Sequence, residues 1–159
     1  MGTFGVYSSA VAIGAVAGLR TFTAPAIVSR AAASGDLRVK QRGLRMLRSA
    51  PTANTFLVLA VGELIADKTA YIPDRIDAAP LIGRIVSGGL CGAAICSARR
   101  ESAVAGGILG GLGAVGGAFL GYHLRKHAVR KHHIPDLGVA LVEDAVAVGA
   151  GLAAFAPLK

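Results

Sequence analysis

Apolar runs long enough to lie in lipid recur along this chain, and two of them hold carboxylates. One run, Thr55-Phe-Leu-Val-Leu-Ala-Val-Gly-Glu-Leu-Ile-Ala66, is interrupted only by Glu63 and leads directly into Asp67 and Lys68. The other carries Glu143-Asp144 near the C-terminus. Ionisable groups at membrane depth cost on the order of 2.5–3.5 kcal/mol each on insertion scales, and they characteristically line a protein interior or an aqueous path. Two such sites in 159 residues point to a polar site or pathway inside an integral membrane protein.

Composition supports that class. Hydrophobic residues make up 53% of the chain, charged residues 16%, and mean hydropathy is +0.59. That is far too apolar for a disordered chain. Glycine fills 22 positions, about twice its usual share of roughly 7%. The apolar runs are built from Ala, Gly and Val, the small residues that let membrane helices approach closely. The net charge of +8 comes from clusters between apolar runs, without stacking aromatics, so nucleic acid is not an expected partner. Membrane lipids are, because such clusters meet anionic head groups and set topology. Cys91 and Cys96, at i, i+5, match no metal or redox spacing. The first apolar run lacks a preceding basic stretch and a clear cleavage site, so it reads as a retained membrane segment. We expect an integral membrane protein of a bacterial inner (cytoplasmic) membrane.

The chain reads as one all-α domain, 1–159, a polytopic transmembrane bundle of about five spans: 4–27, 55–71, 79–98, 103–124 and 137–156. A crossing helix needs about 20 apolar residues. The first span should be broken, because Pro25 removes a backbone donor and kinks or ends a helix. Residues 34–53 form a basic interfacial segment, where Arg38, Lys40, Arg42, Arg45 and Arg48 mix with Leu37, Leu44, Met46 and Leu47. An amphipathic helix at the membrane surface and a solvated basic loop both fit it. Residues 125–136 read as a second basic connection. With the N-terminus outside, the inner connections hold eight Lys and Arg against six, a weak N-outside bias. Two pairs of spans, each joined by a basic connection and each carrying an acidic site, are separated by one span. That spacing would place them in opposite orientations, as in transporters with inverted repeats.

Glu63 and Asp67 are spaced i, i+4, so a helix puts both on one face. Their repulsion and burial favour holding a proton or a cation there. Oxygen ligands suit Ca²⁺, Mg²⁺ or Mn²⁺, so these two are the candidate metal ligands, with the metal itself unknown. Lys68, Arg84 or Arg20 neutralising them in a structural network is the alternative. Asp74 and Asp77 flank Arg75 and suit the N-terminus of the third span. Arg84 lies a turn or more inside that span and needs a partner, with Asp77, Asp67 or Glu63 as the natural set. Arg20, before Thr21-Phe-Thr-Ala-Pro25, either binds an anion or snorkels to the interface. Glu143 and Asp144 point about 100° apart on a helix, so one of them faces a given site. His123 suits a proton relay or an interfacial position. In the fourth span, Gly106-x-x-x-Gly110, Gly113-x-x-x-Gly117 and Gly117-x-x-x-Gly121 make smooth packing faces. No Gly-x-Ser-x-Gly, His-Glu-x-x-His or Cys-x-x-Cys is present, so no enzyme activity and no cofactor are expected.

Ala17-Gly-Leu-Arg20-Thr-Phe-x-x-Pro25, Gly62-Glu63-x-x-x-Asp67-Lys68 and Glu143-Asp144 resemble the bacterial membrane family known as domain of unknown function 4126, over nearly the whole chain. That resemblance implies a small polytopic helical membrane protein and no settled activity. Glu63-Leu-Ile-Ala-Asp67-Lys68-Thr69 is also loosely similar to the acidic motif of manganese- and calcium-transporting cation exchangers. The spacing here is one residue longer and the motif's glycine is missing.

These readings rank a transporter or channel handling cations or protons first, with Glu63, Asp67, Glu143 and Asp144 along its path and Arg20, Lys68 and Arg84 setting local charge. A lipid-binding or lipid-translocating protein, or a non-catalytic membrane scaffold, is the alternative. The small size and the glycine faces suggest a homo-oligomer, a homodimer by base rate.

Overall fold

The structure is a computed structural model that describes residues 2–66, 77–132 and 136–155, with side chains given for all of these but 128–137 and 139. The described residues are helical, with no strand among them: α1 (Thr3–Leu19), α2 (Thr23–Ala33), a 3-10 helix (Arg42–Arg48), α3 (Ala50–Ala66), α4 (Ala78–Ala98), α5 (Ala103–His132) and α6 (Asp136–Ala153). By length and composition α4 and α5 can each cross a membrane. The 3-10 helix and α3 would make a third span if counted together, although they meet at a bend of 72°. Among the described residues two to three such spans stand where the sequence suggests five.

Small residues dictate how the helices pack. A Cβ on Gly88 would lie 2.6 Å from the Gly110 carbonyl oxygen, and Gly92 faces Gly106 as closely. Those contacts bring α4 and α5 together backbone to backbone. One turn further along α5, Gly113 and Gly117 press on the carbonyls of Val11 and Ala15 in α1. Glycine costs a helix roughly 1 kcal/mol against alanine, and here close dispersion contact offsets that cost. Gly106, Gly110, Gly113 and Gly117 of α5, whose seams suggested a partner copy, pack within the protomer. Outward, the helices present Val58, Ile65, Val86, Val104, Ile108, Leu112, Leu120 and Val142. Helices that are apolar on the outside as well as the inside belong in lipid.

The first predicted span is two helices, and they fold back on each other. Gly151 of α6 touches both Val16 of α1 and Ile27 of α2, while Asp144, two turns earlier on α6, meets Arg20. Residues on either side of the break therefore stand at one level, and the break itself lies deeper. The segment after α2 returns to the end where α1 begins: the Gln41 amide donates to Ser97 Oγ at 3.1 Å in the last turn of α4, and Tyr7 Oη lies 3.4 Å from Glu101 Oε2. So α1 and α2 form a hairpin whose tip is Arg20-Thr21-Phe22. Residues 4–27, counted as one crossing for the N-outside bias, are therefore two helices that turn back at Arg20. The N-terminus, the basic segment and the α4–α5 turn share one end of the bundle.

Pro25 explains the position of the tip. It sits in the first turn of α2, where a missing N–H breaks no intrahelical bond. Its ring and its absent donor act on the carbonyl four residues back, that of Thr21. The helix therefore breaks one turn upstream of the proline, not at it.

Two connections also differ from expectation. The segment after α2 is amphipathic: Leu37, Val39, Leu44 and Leu47 are buried and the five cations between them are exposed. Leu44 and Leu47 are three apart, the period of a 3-10 helix. Residues 125–132, expected as a connection, continue α5 as helix. Between α4 and α5, Arg100 takes a left-handed φ of 64°, and the Glu101 amide donates back to the Cys96 carbonyl at 2.9 Å. That pattern is a Schellman stop, with arginine where glycine is usual.

Candidate functional site

A helical hairpin that turns inside a protein leaves backbone groups stranded at its tip, and in a water-poor interior each must find a partner. Three side chains from two other helices supply them. Glu63 of α3 accepts the Thr21 amide on Oε1 at 2.7 Å and the Phe22 amide on Oε2 at 2.8 Å. Arg84 of α4 donates from Nη1 to the Gly18 carbonyl and to that of Leu19 at 3.3 Å. Ser87, one turn along α4, donates its hydroxyl to the Thr21 carbonyl at 2.5 Å. The Arg20 amide closes on Val16 at 2.8 Å.

The charges match the helix ends they meet. The C-terminus of α1 carries partial negative charge and faces a guanidinium. The N-terminus of α2 carries partial positive charge and faces a carboxylate. Five backbone groups are answered by Glu63, Arg84 and Ser87. Left alone, five such groups would cost about 5–15 kcal/mol, which is as much as a whole domain's stability. The hairpin thus depends on α3 and α4 to exist.

Arg20 occupies the tip in extended backbone, with a side chain only 1% exposed. It is too deep to snorkel, and it forms an ion pair with Asp144 of α6. Of the adjacent acids, Asp144 meets the tip through Arg20, and Glu143 is half-buried beside it. The site thus joins α1, α2, α3, α4 and α6 at one level.

The remaining sequence-derived residues fall elsewhere. Asp67, Lys68 and Asp74 lie outside the described residues. Asp77 stands exposed at the N-cap of α4 without a side-chain cap bond. Arg84, expected to seek a carboxylate, reaches the carbonyls of α1. His123 is exposed on α5, edge-on to Tyr122. Among the described residues no three His, Cys, Asp or Glu side chains gather as metal ligands. Ser87 was missed, although its place three residues after Arg84 in an apolar span was a legible signal of a shared helix face.

Two concavities lie toward the N-terminal end of the bundle. An apolar groove of about 420 Å³ runs between α2, α3 and α6, bordered by Ile27, Leu57, Leu152 and Phe155, with Arg30 and Asp36 also on its wall. A basic one of about 500 Å³ is bordered by Gly35, Arg38, Val39, Lys40, Arg45 and Arg48.

Neither the curated proteins nor the solved structures contain a match to this chain. The family described as Domain of unknown function (DUF4126) matches residues 8–158. That span includes the hairpin tip, Glu63, Arg84 and Asp144, and the chain, an apolar helical membrane protein, belongs to the DUF4126 family.

Proposed function

We propose that this protein is a small membrane transporter that handles protons, with the charged hairpin tip as its working part. One observation carries the reading: the Glu63 carboxylate clasps both amides at the start of α2. An ionised carboxylate accepts both bonds. A protonated one turns one oxygen into an O–H donor facing an N–H donor, so the clasp loosens. Protonation of Glu63 thereby biases a hairpin held between clasped and released states. A proton fits this geometry better than a metal cation, since both oxygens already face N–H donors at the positive end of a helix.

In this reading α1 and α2 dip in from one face as a re-entrant pair, and the helices from α3 onward cross. Arg20–Asp144 supplies a second ionisable link, to α6. The tip is assembled within one protomer, so the mechanism requires no partner copy. The cationic end fits the inner face of a cytoplasmic membrane.

The same contacts favour a second reading, a non-transporting scaffold in which Glu63, Arg84 and Ser87 are a fixed brace. Sealed vesicles containing a pH-sensitive dye separate the two. The transport reading expects proton flux from the native chain and its loss in Glu63→Gln, with helical content retained. Flux unchanged by that substitution overturns it, and no flux from a correctly folded native chain supports the brace.

A further inference from the structure

We infer that the concave surface formed by Arg38, Lys40, Arg45 and Arg48 binds the phosphates of anionic lipid head groups at one face of the membrane. Gly35, at φ +89°, turns the chain sharply out of α2. The stretch that follows and the 3-10 helix border the same concavity. Arg45 and Arg48 are three apart and share one edge of that helix. Arg38 and Lys40 are exposed on either side of buried Val39, whose amide turns back to the Leu37 carbonyl at 3.0 Å. The four cations border a single concavity of about 500 Å³. Asp36 is the one acidic residue of segment 34–53, against five Lys and Arg, so the segment is strongly cationic.

The surroundings identify a lipid phosphate over a soluble one. Leu37, Val39, Leu44 and Leu47 anchor the segment on the protein core, while Met46 is 56% exposed among the arginines. The next element, α3, leaves at a 72° bend and presents Leu57, Val58, Val61 and Ile65 outward. An amphipathic segment that leads at such an angle into a lipid-facing helix lies at head-group level, where basic pockets take anionic lipid. Residues 34–53 contain no aromatic side chain, so a single-stranded nucleic acid would have nothing to stack on. Four cations around one concavity suit a head group with two phosphates better than one with a single phosphate, and guanidinium forks give the bidentate contact. This inference is independent of the transport reading, since none of the four residues touches the hairpin tip.

The test uses the full chain in nanodiscs and in detergent, with bound lipid counted by native mass spectrometry. The probes are cardiolipin, with two phosphates, phosphatidylglycerol, with one, and zwitterionic phosphatidylcholine. Affinity should fall in that order. Each basic residue at an anionic surface is worth about fivefold in affinity, so Arg45→Gln/Arg48→Gln should weaken cardiolipin about 25-fold. Arg38→Gln/Lys40→Gln should do the same. The control is Arg42→Gln, an exposed cation of the same segment outside the concavity, which should change affinity by clearly less than the roughly fivefold expected of each pocket cation. All these positions are exposed, and a thiol-reactive dye that labels buried Cys91 and Cys96 only on unfolding verifies the fold. Equal retention of phosphatidylcholine, or a loss with Arg42→Gln of about fivefold or more, overturns the proposal. So does displacement of cardiolipin by millimolar pyrophosphate or by an oligonucleotide, which would assign the surface to a soluble polyanion. Proton flux is unaffected by these variants if both readings hold, so one can fail without the other.

Discussion

Removing the Glu63 carboxylate should destabilise the protein in a graded way that the geometry fixes in advance. In Glu63→Ala both the Thr21 and Phe22 amides lose their acceptor. An orphaned buried donor costs about 1–3 kcal/mol, so the gross loss is about 2–6 kcal/mol. Glu63→Gln keeps one oxygen for one amide but turns its NH₂ toward the other, for a loss of about 1–3 kcal/mol. Discarding a membrane-depth charge returns part of this. The return is the same for both variants, and it is small because the charge already sits against the positive end of α2. The alanine variant should therefore lose about twice what the glutamine variant loses. For a chain of this size a loss of 1 kcal/mol lowers the melting temperature by about 2–4 °C. The measurement is thermal unfolding in detergent, read by a thiol-reactive fluorophore, since Cys91 and Cys96 are both buried and free. A melting temperature for Glu63→Ala at or above that of the native chain would refute the reasoning, because the stranded amides would then have found water.

The glycine seams and the α4–α5 turn give three further outcomes for the same melting assay. Gly110→Ala drives a Cβ into the Gly88 backbone and should cost about 1–3 kcal/mol or more. On the same helix, Gly116→Ala meets nothing within 4 Å and should be neutral or gain up to about 1 kcal/mol. Arg100→Gly relieves a left-handed φ of 64° and should gain about 1 kcal/mol. A loss of stability in that variant would mean the arginine side chain holds the turn.

Much of the bundle was legible because lipid imposes simple demands. The bounds of α4 follow from apolar length alone, α6 ends three residues short of the expected 137–156, and Gly106, Gly110, Gly113 and Gly117 of the fourth span are at tight contacts. Two features resisted. The first was the hairpin. Proline announces a break, but the consequence appears four residues upstream, and nothing local says whether the chain continues or turns back. That choice depends on Glu63, Arg84 and Ser87 arriving from elsewhere to meet the stranded groups. The second was the partner of each charge. Opposite charges invite pairing on paper, yet Glu63 and Arg84 also bond backbone ends. Helix termini carry partial charges that no residue type records. Arg20 with Asp144 is the kind of side-chain pair that sequence reasoning naturally seeks.

The hairpin changes which side of the membrane the chain's ends occupy, and this is open to direct test. Counted as one crossing, residues 4–27 separate the N-terminus from the basic segment. Folded back at Arg20, they leave both on the same side. The contacts of Gln41 with Ser97 and of Tyr7 with Glu101 place them at one end of the bundle. Arg38, Lys40, Arg42, Arg45, Arg48, Arg99 and Arg100 all belong to that end. Clustered cations stay on the cytoplasmic side, so the N-terminus should lie inside. Single-cysteine variants Gly2→Cys and Arg42→Cys, probed with a membrane-impermeant thiol reagent, should react from the same face of sealed, oriented vesicles. Gly2 and Arg42 are exposed, whereas native Cys91 and Cys96 are buried and should stay silent. Labelling of the two variants from opposite faces would mean that α1 and α2 together traverse the bilayer. Glu63 would then clasp a kink within one span in place of the tip of a hairpin.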